Sequence, residues 1–218
     1  NRFYQRNRIK KFVNNRDYKI DEYAVTLNET RIFKGYRTNY HSSKSKQDHI
    51  RDLAFKELKD KKGTTIAWLW YALTEFQGAI SGQDRLLAGI RIRVGNIQIG
   101  DADILRDLYK EERFCGYVIG EMYILPEAGL RPNGQRDSFN DSERFSELKD
   151  AFREVAKEIG KLCRDGSEQN TEATLIKKYE NARAEHERKI SRNLYLNDKD
   201  CREKEKELQK LEEEAKKA

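Results

Sequence analysis

The sequence contains little of what builds disulfide-stabilised or membrane-spanning proteins. Its 218 residues include only three cysteines, two prolines and one methionine. Cys115, Cys163 and Cys201 are widely spaced and odd in number, which predicts reduced thiols in a cytoplasmic protein and gives no pair at metal-ligand spacing. No apolar run approaches the roughly 20 residues of a membrane span, so no membrane partner is expected.

The N-terminus has neither an initiator methionine nor the apolar stretch of a signal peptide. We therefore expect the chain to be a segment of a longer protein.

Motifs for self-contained catalysis are also missing. There is no Walker-type phosphate loop, and VGNIQIG does not fit the dinucleotide fingerprint. The histidines, His41, His49 and His186, share no motif and are expected to be exposed side chains. Glu121 lies in an apolar strand and could be a general base. A role as partner of Arg91, Arg93 or the turn at 130–139 is favoured, since buried carboxylates usually need a cation. Whether the chain belongs to an enzyme stays open, and it is not expected to be active alone.

Charge is abundant, and its excess is confined to one end. Charged residues make up 38% of the chain and the net charge is +6. Residues 1–20 carry seven cations and one acid, so they account for the whole excess. Phe3, Tyr4, Phe12 and Tyr18 are interleaved with these cations. The segment is either a basic arm or linker whose rings pack on the body, which we favour, or a nucleic-acid contact. Candidate nucleic-acid residues are Arg2, Arg6, Arg8, Lys10 and Lys11.

The first part of the body alternates between strand and helix patterns. Residues 21–36 predict one or two strands, 47–61 a helix, and 64–80 a buried strand that is bent or broken near Thr74. Residues 88–101 predict a hairpin or a bulged strand around Gly95-Asn96. A short helix capped by Asp101 (101–112) and a further strand (114–125) follow.

The remainder predicts helices. Asn140 is a plausible cap and Gly166 a plausible stop. The apolar stripe of this first helix consists of Phe145, Leu148, Phe152, Val155, Ile159 and Leu162. A second helix is predicted over 171–195, with a kink or a restart at Asn197-Asp198 and a charged helix over 199–218. This pattern is typical of a helical hairpin or a coiled coil, with oligomerisation possible.

The stretch LRPNGQRDSF, residues 130–139, is a turn that leads into the first of these helices. Pro132 stiffens it, and Arg136 stands just before the helix. An arginine in this place suits phosphate binding, but pairing with Asp137 or Glu143 at the surface is an equal alternative.

Residues 64–140 resemble the middle segment of GHKL-type ATPases, closest to the 90-kDa heat-shock chaperone family. The order GIRIRVGNIQIGD, DILRDLY, VIGEMYIL and LRPNGQRD is similar to that family's strand, short helix, strand and Leu-Pro-Leu-Asn-x-Ser-Arg-Glu turn. Leu130, Asn133 and Arg136 keep the spacing, and Asp137 replaces the Glu. Pro132 comes one place later than in the family, and Gln135 replaces the Ser.

The resemblance implies a transducer domain whose arginine reaches ATP held in a separate N-terminal domain of the same protein. Arg136 would contact the γ-phosphate and Asn133 would brace the loop. ATP and Mg²⁺ are implied for the full protein, and this chain alone would bind neither. A homodimer is possible. The family's ATP-holding motifs are missing from this chain.

The expected fold class is α+β: the alternating pattern predicts an α/β sandwich followed by C-terminal helices, and the resemblance implies a left-handed β-α-β crossover (ribosomal-protein-S5-domain-2-like). The predicted divisions are a basic arm or linker at 1–20, a transducer-like α/β domain at 21–139 and a helical extension at 140–218. The alternative function is a nucleic-acid-associated interaction module, and a coiled-coil scaffold is a third possibility.

Overall fold

The fold is given by a computed structural model, which describes residues 6–20, 24–32, 34, 36–42, 48–51, 53–75, 78–192, 194–195 and 197–217. The chain divides into two compact units, Asn1–Cys163 and Arg164–Ala218. The division falls within one long helix.

The structure is of the mixed α+β class. The strands are β1 Val25–Leu27, β2 Thr30–Ile32, β3 Asn39–Tyr40, β4 Asp48–His49, β5 Ala54–Lys59, β6 Thr65–Leu73, β7 Gly89–Val94, β8 Ile97–Ile99 and β9 Val118–Ile124. The α-helices are α1 Arg6–Asn14, α2 Ser142–Ser191 and α3 Asp198–Lys217. The 3₁₀ helices are Gly82–Leu87, Ala102–Leu108, Glu112–Tyr117 and Pro126–Ala128.

Five strands form one mixed sheet in the order β5-β6-β9-β7-β8. β9 pairs parallel with β7, while the other neighbours are antiparallel. The chain leaves β7 through the edge strand β8 and two 3₁₀ helices before it returns as β9. β9 therefore lies in the centre of the sheet, and its seven residues are all buried.

The hairpin predicted over 88–101 is confirmed. β7 and β8 pair with Val94 opposite Ile97, and Gly95 in the turn has a φ of 59°, which glycine adopts without a steric penalty. The short helix that follows is a 3₁₀ helix. Its predicted cap is confirmed, because the Asp101 carboxylate accepts a 2.9 Å hydrogen bond from the Asp103 amide.

Other strand predictions are confirmed with shorter bounds. β6 ends at Leu73, and Thr74 makes only an isolated bridge to Ile50, so the break expected near Thr74 is present. The segment 114–125 is a 3₁₀ helix up to Tyr117 and a strand only from Val118. Within 24–32, β1 and β2 form an exposed hairpin.

The helix predicted over 47–61 is wrong. This segment contains β4 and the edge strand β5, which pairs with β6 along its whole length. Ile50, Leu53 and Leu58 stand at helical spacing, yet they are buried because the surrounding chain runs along the sheet. The strand AFKELK carries three charged residues, and charged side chains are common on edge strands.

Both faces of the sheet are covered within the first unit. On one face, Leu69, Ile92 and Met122 pack in a cluster with the apolar stripe of α2. The members of this stripe are Phe145, Leu148, Phe152, Val155 and Ile159; Cys163 continues it, whereas Leu162 is 41% exposed. The opposite face carries Trp68 and Trp70, which pack with Val13 of α1 and with Tyr40 and Ile50.

The first long helix differs from its prediction at both ends. Its cap is Asp141 rather than Asn140, since the Asp141 carboxylate accepts from the Arg144 amide at 2.9 Å. Gly166 does not stop it, and α2 continues to Ser191. One helical glycine costs only about 1 kcal/mol relative to alanine, so a single glycine does not by itself end a helix. The restart near Asn197 is confirmed by α3, which supplies the second helix of the C-terminal pair.

Candidate functional site

The segment that carries Arg136 is a closed loop between the central strand and α2. Pro132 and Phe139 form an isolated antiparallel bridge across its base. The Asn140 amide donates to the Arg131 carbonyl at 3.0 Å. Phe139 and the preceding Leu130 are buried in the core. The base of the loop is therefore anchored, and its tip is held away from the apolar interior.

Backbone hydrogen bonds fix the tip of the loop. The Arg136 amide donates to the Asn133 carbonyl at 3.1 Å, and the Arg136 carbonyl accepts from the Gly100 amide at 2.8 Å. The second bond joins the tip to the residue that follows β8. A Cβ on Gly100 would lie 3.0 Å from the Asp137 carbonyl oxygen, so the two segments pack backbone to backbone.

Arg136 has an uncommon backbone conformation. Its φ is 59°, in the left-handed region that a residue with a side chain rarely adopts. Such residues persist only where the surrounding structure imposes the conformation, and they are concentrated at functional sites. The bonds to Asn133 and Gly100 provide that constraint.

The Arg136 side chain is exposed, and within the described residues its guanidinium has no hydrogen-bond or ion-pair partner. Pairing with Asp137 or Glu143, the surface alternative, is not observed. The Asp137 carboxylate instead accepts from the Asn133 side-chain amide at 2.6 Å. Asn133 and Arg136 thus lie in one loop, with Asn133 bonded across the tip and the arginine directed to solvent.

A second charged cluster lies on the sheet itself, around Glu121. This carboxylate is 2% exposed and contacts Arg93 Nη2 at 2.7 Å and Lys34 Nζ at 2.9 Å. The Tyr123 hydroxyl also donates to it, at 2.8 Å. Burial alone would raise the pKa of Glu121, but Lys34 and Arg93 hold the pKa below its ordinary value.

This arrangement confirms a cation partner for Glu121, with Arg93 in that role. Arg91 is directed elsewhere, towards the Leu87 carbonyl and the Tyr36 hydroxyl. An ionised carboxylate that already accepts from three donors is a poor general base. We therefore interpret the cluster as structural.

The candidate nucleic-acid residues differ in their surroundings. Arg2 lies outside the described residues, as do Phe3 and Tyr4, and Arg6 begins α1. The Arg8 guanidinium donates to the Leu53 carbonyl at 3.4 Å. Lys10 and Lys11 are exposed on α1.

Two rings of the basic segment pack on the body. Phe12 stacks on Phe55 with ring centroids 4.5 Å apart, and Tyr18 stacks on Trp68 at 5.9 Å. Both rings therefore contact the sheet, as expected if residues 1–20 are an arm or linker that packs on the body.

One group was missed by sequence reasoning. His186, Cys201 and Glu205 come together in the second unit, with one potential ligand atom from each lying within 4.8 Å of the others. The only local signal was the spacing of four between Cys201 and Glu205, and His186 joins them through the tertiary fold.

No protein-family model matches this chain, and no curated protein matches it significantly. In the part of the chain that the structure describes, no helix combines the length and the apolar character needed to cross a membrane.

Proposed function

We propose that this chain is the transducer segment of a GHKL-type ATPase, similar to the 90-kDa heat-shock chaperones. The observation that carries the proposal is the Arg136 loop. It presents an exposed guanidinium from a constrained backbone, and no described residue pairs with that guanidinium. An arginine fixed in this manner can bind a phosphate on another domain without first breaking an ion pair.

The order of the elements around the loop supports the same proposal. The hairpin β7-β8, a short 3₁₀ connection, the central strand β9 and the Arg136 loop follow one another as in the resemblance. β7 and β9 are parallel neighbours, as a β-α-β crossover requires. A left-handed crossover of the ribosomal-protein-S5-domain-2 type is part of what we propose.

In this proposal the nucleotide is held by a domain outside this chain, with Mg²⁺ on its phosphates. Arg136 approaches the γ-phosphate and neutralises the charge that develops during phosphoryl transfer, as arginine fingers do. Asn133 keeps the loop in shape through its bond to Asp137. The chain's own contribution is therefore one positioned cation.

The nucleotide state would pass to the C-terminal helices through α2. This helix begins two residues after Asn140, at the base of the loop, and continues without a break to Ser191. It contributes residues to both compact units. A displacement of the loop when it engages phosphate would act on the first turn of this helix, so α2 is the element through which we propose that domain closure is transmitted.

The test replaces Arg136 in the protein that contains both this chain and its nucleotide-binding domain. We expect Arg136→Ala to lower kcat for ATP hydrolysis about 10³-fold while ATP still binds. Arg136→Lys should recover little, because lysine keeps the charge but loses the planar fork. Arg136→Gly accepts the left-handed backbone without strain and should be equally inactive without loss of stability.

The matched control is Arg131→Ala, which removes an exposed arginine from the base of the same loop. It should keep kcat within about twofold, because a surface cation away from the phosphate acts only through weak screened electrostatics. The proposed role of Arg136 would be contradicted if Arg136→Ala left kcat unchanged, or if Arg131→Ala lowered kcat by the same factor.

A further inference from the structure

The second unit brings three kinds of metal-ligating side chain together. His186 lies near the end of α2, and Cys201 and Glu205 lie in the first turns of α3. Among the described residues they are the one group of at least three His, Cys, Asp or Glu side chains whose ligand atoms lie within 4.8 Å of one another. The group depends on the packing of α3 beside α2 and not on the Arg136 loop.

Cys201 and Glu205 are placed by the start of α3. Residues four apart share one face of a helix, and here Cys201 Sγ lies 4.0 Å from Glu205 Oε1. Asn197 fixes the helix start: its side-chain oxygen accepts from the Asp200 amide at 2.8 Å, and its carbonyl accepts from the Cys201 amide at 3.3 Å. The thiol and the carboxylate are therefore presented on the same side by a capped helix.

His186 is buried, and a neighbour orients its ring. Its Nδ1 lies 2.5 Å from the Tyr195 hydroxyl, and the two rings meet edge to face at 5.5 Å. In the tautomer in which Nδ1–H donates to Tyr195, the Nε2 lone pair is available as a ligand. Metal-binding histidines characteristically have their second nitrogen held by such a hydrogen bond.

We propose that His186, Cys201 and Glu205 bind a divalent transition-metal ion of the zinc class. A thiolate, an imidazole and a carboxylate suit Zn²⁺ or Co²⁺, whereas Mg²⁺ and Ca²⁺ favour sites made only of oxygen. Three protein ligands leave a fourth tetrahedral position for water. Ligand atoms in such a site are about 3–4 Å apart, given metal–ligand bonds of about 2.0–2.3 Å. Metal binding therefore draws the ligand atoms together by about 1 Å, and the exposed Glu205 side chain can rotate towards the ion.

The surrounding charges permit a cation here. Lys204 pairs with Glu207 at 2.7 Å, and Lys189 pairs with Glu185 at 3.1 Å. The neighbouring lysines are thus already compensated by carboxylates. When the metal binds, the Cys201 thiol loses its proton to solvent and its sulfur forms the metal bond, so binding strengthens as the pH rises.

The consequence for the molecule is a link between two helices. A metal held by His186 on α2 and by two residues of α3 fixes α3 against the end of α2. Any ligand that binds only the folded state stabilises it by mass action. The metal is therefore expected to raise the unfolding temperature of the second unit and to leave that of the first unit unchanged.

The test is titration of the metal-free whole chain with Co²⁺, followed by competition with Zn²⁺. We expect a thiolate-to-cobalt absorption band that saturates at one equivalent and disappears when Zn²⁺ is added. Cys201→Ser should abolish the band, and His186→Gln or Glu205→Gln should weaken binding at least about 10-fold. The matched control is Glu203→Gln, an exposed carboxylate on the same helix that does not belong to the group.

Two further features make the result decisive. Cys115 and Cys163 are buried in the core of the first unit and remain in Cys201→Ser. An absorption band produced by either of them would therefore persist in that variant. Cys201 is partly exposed, so its replacement by serine should keep the fold, which circular dichroism checks. The proposal is overturned if the unaltered chain shows no thiolate band, or if Cys201→Ser retains it. Neither result bears on Arg136.

Discussion

At the scale of single residues, two charged side chains, Arg136 and Glu121, have opposite surroundings. Arg136 is exposed and has no described partner, whereas Glu121 is enclosed by Arg93, Lys34 and Tyr123. The sequence predicted a cation beside Glu121, and Arg93 is one, but it did not predict the contacts with Lys34 and Tyr123. The motif predicted Arg136 as a phosphate ligand, but its left-handed φ and its bond to Gly100 depend on contacts 36 residues apart in the chain.

The Glu121 cluster predicts a defined loss of stability. Glu121→Gln should lower the free energy of unfolding by about 3 kcal/mol at pH 7, because it leaves Arg93 and Lys34 beside a neutral amide on the sheet. The measurement is urea unfolding. Glu127→Gln, an exposed change on the segment after β9, is the control and should stay within about 0.5 kcal/mol.

The same variant has an expected pH dependence. The pKa of Glu121 is lowered in the folded protein, so its stabilisation is complete above the unfolded value of about 4.3 and is lost as the pH falls through the folded value. The difference between the two proteins should therefore shrink on acidification below about pH 4.3. A difference that stays constant down to acid unfolding would mean that ionisation of Glu121 does not stabilise the fold.

At the scale of elements, prediction succeeded where the local pattern and the tertiary contacts agree. β6, β7 and β9 are apolar or strictly alternating strands, and the structure buries them as expected. β5 was misread because the spacing of its apolar residues fits a helix, and only its pairing with β6 decides otherwise. The stop predicted at Gly166 rested on the local sequence alone. It took no account of the packing of the first half of α2 on the sheet.

Gly120 shows how closely the central strands approach. A Cβ at this position would lie 2.4 Å from the Trp70 carbonyl oxygen on β6 and 3.1 Å from the Tyr71 Cα. Both are backbone atoms of a strand paired on each side, so they cannot move without breaking the ladder. Gly120→Ala should therefore lower the free energy of unfolding by about 3 kcal/mol, at the upper end of the usual cost of overpacking.

Gly134→Ala is the matched control for this change. A Cβ on Gly134 would meet nothing within 4 Å, and its φ does not lie in the left-handed region. Its effect should stay within about 0.5 kcal/mol. Thermal or urea unfolding of the two variants gives the comparison, and equal stabilities would contradict the close approach of β9 to β6.

At the scale of the whole molecule, residues 1–20 have two roles. They carry the excess positive charge, and they cover the face of the sheet that contains Trp68. Residues 1–20 hold the net charge of +6, and within them Phe12, Val13 and Tyr18 pack in the cluster that contains Trp68. Arg16 also pairs with Glu57 of β5 at 2.6 Å. Removing the segment would expose the tryptophan face of the sheet. If deleting residues 1–20 abolished nucleic-acid binding, the loss could therefore come either from the missing positive charge or from damage to the fold.

Point variants separate the two roles. Phe12→Ala should lower the free energy of unfolding by about 2 kcal/mol, because the Phe12 ring is only half-buried and a fully buried phenylalanine contributes roughly 3–5 kcal/mol.

The double variant Lys10→Glu, Lys11→Glu should keep the stability, because both side chains are exposed. The double variant lowers the net charge from +6 to +2, since each change removes two positive charges. If the nucleic-acid alternative holds, its affinity for DNA or RNA falls and depends less steeply on salt, because fewer phosphates are neutralised. If Arg136 and an external nucleotide define the function, the double variant hydrolyses ATP at the unaltered rate when joined to its nucleotide-binding domain.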